Sequence, residues 1–125
     1  MLHKGIIREK NDASGVNEVE TFLNSITFKL PQGFIEFYKH SNGATINSEE
    51  LYTSLWPLTD MIQLNLNYNV KEYAPDFFIF GSDGGDTAFA VEKNTGKIFE
   101  MPLIGMSKEE AVFIANTFDE FLLGR

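Results

Sequence analysis

The sequence predicts an α+β fold, a mostly antiparallel sheet built as a meander with helices packed on one face, and three observations predict it. Apolar residues recur at helical spacing before residue 42. Short alternating or continuous apolar runs joined by glycine, aspartate and asparagine clusters fill residues 77–101. Helical spacing then returns over residues 107–124.

From the N-terminus, Gly5-Ile6-Ile7 reads as a short strand or anchor within a polar stretch, residues 1–15, that is able to fray. Val16, Val19, Phe22 and Leu23 predict a first helix, with Asn17 to Glu20 as a weak capping box. Leu30-Pro31 interrupts it, and Pro31 suits the first position of a second helix whose apolar face is Phe34, Ile35, Phe37 and Tyr38. Asn42-Gly43 stops that helix. Residues 44–46 and 50–56 read as strands, the second alternating around Leu51, Thr53 and Leu55 before Pro57 ends it. Residues 57–68 return to helical spacing, with Leu58, Met61, Ile62 and Leu64 to Leu66 inward. Strands are expected at 77–80, 87–92 and 97–101, joined by SDGGD and KNTG, both rich in the residues that accept a hairpin's positive φ. Ser107 is predicted to cap a closing helix, Glu110 completing its S-x-x-E box, with Ala111, Ile114, Ala115, Phe118 and Phe121 or Leu122 along one face up to Gly124.

With 125 residues and no repeat or linker, the chain is expected to form one domain over residues 1–125, large enough for a core of its own. The 43% hydrophobic and 14% aromatic content, including twelve phenylalanines, separates it from disordered chains. There is no cysteine, hence no disulfide, thiolate metal site or cysteine nucleophile. The opening MLHKGIIREKNDASG lacks the apolar core of a secretion signal, and no run approaches the ~18 apolar residues of a membrane span. A cytoplasmic location and no membrane contact are expected.

The formal net charge is -8, with five basic and seven acidic residues over 1–56 and five and eleven over 57–125. Such a surface repels nucleic acid and attracts basic proteins. Direct nucleic-acid binding is therefore not expected, nor do basic residues interleave with aromatics as in single-strand platforms.

The loop FGSDGGDTAFAV holds the nearest thing to a ligand site. Asp83 and Asp86 flank two glycines, yet the alternating ligands and terminal glutamate of an EF-hand are missing, and no phosphate-loop lysine follows. A hairpin turn accounts for these residues better than a cation. His3 and His40 are the only histidines. His40, in the last turn of a helix, suits the helix dipole better than catalysis, and no nucleophile elbow such as G-x-S-x-G is present. Trp56 reads as a buried anchor where sheet meets helix. No catalytic residue, metal ligand or cofactor is assigned. Glu72, Asp76, Asp83, Asp86, Glu92 and Glu100 belong to the meander and its approaches, and are the candidate residues for one acidic edge facing a basic partner.

Four segments carry a family resemblance. LPQGFIEFYKHSNGATI (30–46) resembles an opening helix that ends in a glycine turn, and LYTSLWPLTDMIQLN (51–65) a strand delivering a Pro-Leu turn into a helix. FGSDGGDTAFAVEKNTGKIFEM (80–101) resembles the G-x-D-G-G-G-D hairpin, and NTFDEFL (116–122) the closing F-x-E-F-L. Together, in order over residues 16–123, they resemble the SMI1/KNR4 family of the SUKH superfamily. That resemblance implies an α+β fold and a non-enzymatic role. The bacterial members of such a family are immunity proteins that bind and block the toxin of a contact-dependent or polymorphic system, often a nuclease. The fungal members are regulators or scaffolds of cell-wall synthesis, the alternative role; a metal-dependent enzyme is a distant third. The partner implied is a cognate toxin domain with a basic surface. The oligomeric state is not set by anything in the sequence.

Overall fold

The computed structural model of the chain describes residues 6–10, 15–47 and 52–124. Strands that follow one another in sequence tend to pair, directly through hairpins or after a helical excursion, and this sheet does so throughout. Seven strands, β1 (Ile6–Lys10), β2 (Ala44–Asn47), β3 (Tyr52–Leu55), β4 (Phe77–Ser82), β5 (Thr87–Glu92), β6 (Ile98–Pro102) and β7 (Val112–Ala115), lie side by side in chain order. Every neighbouring pair is antiparallel. Helices α1 (Val16–Ser25) and α2 (Phe34–His40) fall between β1 and β2, α3 (Leu58–Asn67) and α4 (Val70–Tyr73) between β3 and β4, and α5 (Phe118–Leu123) closes the chain.

Side-chain alternation sorts the sheet into two faces. Phe78 and Phe80 of β4, with Phe89 and Val91 of β5, join Phe22 of α1, Phe34 and Tyr38 of α2, Leu58 and Met61 of α3, and Phe118 and Phe121 of α5 in the larger core. Aromatic rings dominate it: Phe34 stacks on Tyr38 at 4.8 Å and meets Phe118 edge-on at 5.3 Å, and Phe121 meets Phe89 at 5.0 Å. Each such pair adds about 0.5–1.5 kcal/mol beyond its buried area. Phe77 and Ile79, with Ala88, Ala90 and Met101, point to the opposite face, where Val70 of α4, Ala74 and Met106 cover them. The alanines there suit a thin cover made of one short helix and a loop. Strands β4 and β5 are thus buried on both sides, which explains their near-continuous apolar runs.

Strand β3 pairs with β4 only through Ser54 with Ser82 and Leu55 with Gly81. The backbones approach so closely there that a Cβ on Gly81 would lie 2.5 Å from the Ser54 carbonyl oxygen, so only glycine fits. Beyond this point Pro57 turns the chain into α3, and Ile79 is left without a β3 partner. The side chain of Asn65 takes over: its Oδ1 accepts from the Ile79 N–H at 2.9 Å, and its Nδ2 donates to the Ile79 carbonyl at 2.8 Å. One amide thus completes both backbone groups of a core strand. At the other end of α3, Asn42 Oδ1 accepts from the Leu58 N–H at 2.8 Å, so an asparagine two residues past the end of α2 caps the next helix from across the fold.

The closing helix expected over 107–124 is not there. Lys108–Glu110 is one 3-10 turn, residues 112–115 form β7 against β6, and only Phe118–Leu123 is α-helical. The stretch Val-Phe-Ile-Ala fits both periods, and its β-branched and aromatic side chains favour a strand once β6 offers an unpaired edge. Ser107 makes no side-chain cap; Thr117 does, accepting from the Glu120 N–H at 3.1 Å, while Glu120 Oε1 accepts from the Asn116 N–H at 2.8 Å.

Smaller differences have local causes. The first helix is capped by Glu18 Oε1 on the Gly15 N–H at 2.7 Å rather than by Asn17, so Val16 sits on the outer side of the first turn, 74% exposed. The second helix begins at Phe34, with Pro31 in the preceding turn, because Gly33 takes a left-handed conformation between them. Leu66 faces solvent at 60% exposure, since Asn65 rather than Leu66 turns toward β4. Leu51 and His3 lie outside the described residues.

Candidate protein-binding surface

The β4–β5 turn shows what its aspartates and glycines do. Asp83 Oδ1 accepts from the N–H groups of Gly85 at 2.8 Å and Thr87 at 3.2 Å, and its backbone N–H bonds the Thr87 carbonyl at 3.0 Å. This carboxylate holds the turn from within, as short polar side chains do in Asx turns. Gly84 has φ +85 and lies under the ring of Tyr52, where a Cβ would fall 2.6 Å from a ring carbon. On the other flank the Asp86 carbonyl accepts from the Leu103 N–H at 2.7 Å. The loop is therefore clamped from both sides.

The six candidate carboxylates do not share one edge. Asp83 and Asp86 stand at the turn end of the β4–β5 hairpin, whereas Glu92 pairs with Phe77 at the far end, beside Asp76. Six strand residues at about 3.3 Å each separate the two ends by roughly 20 Å. Glu72, on α4, is exposed. At the far end the acids have intramolecular partners: Asp76 Oδ2 lies 3.7 Å from Lys108 Nζ, and Glu92 Oε1 accepts from the Thr95 hydroxyl at 2.7 Å.

At the turn end, Asp86, Thr87, Glu100, Met101, Pro102, Glu110 and Val112 line an open groove of about 250 Å³. It brings together two of the candidate residues, Asp86 and Glu100, and adds Glu110. Among the described residues no side-chain hydrogen bond or ion pair engages these three carboxylates. Glu110 escapes the sequence reading because the S-x-x-E pattern assigns it to a cap; the signal that could have found it is the switch from Glu109-Glu110 to the β-branched and aromatic run of β7.

Beside the groove runs the last strand. Val112 is 55% exposed and Phe113 48%, and the Phe113 ring also contacts Phe99 at 5.7 Å. A second depression of about 310 Å³ lies between α1 and α3, with Phe22, Leu58 and Ile62 in its wall and only Glu18 charged.

The other residues singled out in the sequence are structural in their surroundings. His40 ends α2, with Nε2 4.0 Å from Glu36 Oε2 and both side chains 73% exposed. Trp56 is half-buried between the two cores; its N–H donates to the Phe80 carbonyl at 3.1 Å, and its carbonyl accepts from the Tyr38 hydroxyl at 2.7 Å. Among the described residues no group of three or more His, Asp or Glu is placed to hold a metal ion, and no helix is long and apolar enough to cross a membrane.

No curated protein matches the chain. The model of the SMI1 / KNR4 family (SUKH-1) matches residues 13–124, the span that contains α1 to α5 and strands β2 to β7, and the chain belongs to that family.

Proposed function

We propose that this chain acts by binding another protein, as the cytoplasmic immunity partner of a secreted toxin, and that residues 1–125 act as one domain in doing so. Membership of the SMI1/KNR4 family carries the reading, because its bacterial members are immunity proteins in the resemblance drawn above. The charge supports it: a net charge of -8, and three carboxylates around one groove with no side-chain partner among the described residues, suit a basic target. Enzymes that cut nucleic acid hold phosphates with basic surfaces, so an acidic inhibitor associates with them quickly and covers the surface they use. The mechanism is occlusion, without turnover and without a cofactor.

Co-expression with the C-terminal domain encoded by the adjacent gene is the direct test. Restored growth together with co-purification is expected. Continued killing with no complex overturns the proposal, and a complex with a cell-envelope synthesis protein instead moves the chain to the regulatory branch. The contribution of charge is read separately with Asp86→Lys, and with Asp83→Asn, which keeps the turn's acceptor oxygen while removing the charge. Slower association for Asp86→Lys, with a weaker salt dependence, is expected.

A further inference from the structure

We propose that β7 is a docking edge that takes an extended, basic segment of the protein partner as an eighth strand of the sheet. The proposal rests on the protein-binding reading above and adds to it where the partner sits and what sequence pattern it presents.

Strand β7 is the last in the sheet and, among the described residues, has a strand neighbour on one side only. An exposed edge offers a row of backbone donors and acceptors, and proteins usually blunt it with lysine, proline or a cover. Strand β7 contains neither lysine nor proline; it is short, and its pairing with β6 shifts register between Ile98 and Phe99, yet the side chains of its first two residues, Val112 and Phe113, are about half exposed. Register places them on opposite faces: Val112 pairs with Glu100 on the side of the groove, and Phe113 pairs with Phe99 on the side of the second core. Side chains of an added strand would therefore stand beside Val112 on one face, with Glu100 and Glu110 within reach past it, and beside Phe113 and Phe99 on the other.

Charge decides the occupant. Glu109 and Glu110 precede the strand, and Asp119 and Glu120 follow it within five residues. A second copy paired antiparallel along β7 would bring the acids before one strand toward those after the other, with -8 on each chain opposing the approach. A segment in which lysine or arginine alternates with an apolar residue meets both faces at once. Backbone pairing would supply affinity, and the alternating side chains specificity, as in other complexes formed by strand addition.

The probe is a capped nine-residue peptide alternating lysine with valine, titrated into the full chain and followed by amide chemical shifts and hydrogen exchange. Expected are shifts centred on Val112–Ala115 and at least tenfold slower exchange of amides in β7. Binding should be lost when the peptide's backbone is N-methylated on its pairing side, when glutamate replaces its lysines, and in the variant Glu100→Gln with Glu110→Gln. Shifts centred on the α1–α3 depression, no binding at millimolar peptide, or self-association of the chain through β7 without peptide would each overturn the proposal. Exchange in the complex with the neighbouring gene's domain separates the two readings. A complex that leaves β7 exchange unchanged discards the docking edge while immunity stands. Peptide binding at β7 without any such complex keeps the edge and discards that partner.

Discussion

The β4–β5 hairpin and the β7 edge belong to one sheet yet are built to opposite ends. The hairpin is buried on both faces, with Phe78, Phe80, Phe89 and Val91 under the larger helices and Phe77, Ile79, Ala88 and Ala90 under α4 and Met106. At its turn Asp83 bonds the hairpin's own backbone. The edge is four residues long, half exposed at Val112 and Phe113, and flanked by carboxylates with no side-chain partner among the described residues. The contrast teaches that the aspartate and glycines at the centre of the most site-like loop hold its turn, whereas the half-exposed apolar side chains lie at the edge of the sheet.

The contrast breaks most easily at its buried end. Phe80 is fully buried and contacts Phe34, Phe118 and Phe121, so Phe80→Ala should cost about 3–5 kcal/mol in urea unfolding. A loss below 1 kcal/mol would mean that the hairpin is not the centre of the core. Next in size is Asn65→Ala, which strands the N–H and carbonyl of Ile79 in a partly buried setting. A loss of about 1–3 kcal/mol is expected, with faster hydrogen exchange at the Ile79 amide as the specific sign.

Tyr38→Phe should cost about 1 kcal/mol at neutral pH through the lost bond to the Trp56 carbonyl. Burial pushes the Tyr38 phenol well above the ordinary tyrosine value of 10.0, because the phenolate would be stripped of water. A folded-state pKa above the unfolded one makes this contribution complete below pH 10.0 and progressively lost as pH climbs beyond it toward the folded value. Stability of the wild type should therefore fall more steeply above pH 10.0 than that of Tyr38→Phe, as measured by urea midpoints across alkaline pH. Parallel curves would show that this phenol does not drive the loss.

The smallest effect on folding belongs to the edge. Val112→Thr keeps β propensity while removing apolar character from an exposed position, and should shift stability by no more than about 0.5 kcal/mol. A larger loss would make β7 part of the stabilising frame and erase the contrast between the two regions.

Much of this was legible in the residues. The order of strands from 77 to 101, the turns SDGGD and KNTG, the presence of α2, which ends at His40 with Ser41 extended rather than at Asn42-Gly43, and membership of the family all follow from local patterns, because turn chemistry and period are local properties. The tail was not legible. Val112 to Ala115 satisfies helical and extended spacing equally, and a strand forms there because β6 leaves an edge that only the assembled sheet provides. The cap that Asn42 places on α3 and the pairing of Asn65 with Ile79 were hidden for the same reason: each spans fourteen or more residues, and a side-chain amide says nothing about which distant backbone group will lack a partner.

The acidic residues show where local reading ends. Composition alone determined that the chain is acidic, since net charge is a sum over residues. Tertiary structure alone decided which carboxylates stay available. Folding spends Asp83 on a turn, Asp76 on Lys108 and Glu92 on Thr95, and it gathers Asp86 and Glu100 with Glu110 beside the bare strand, because register and edge order are properties of the whole sheet.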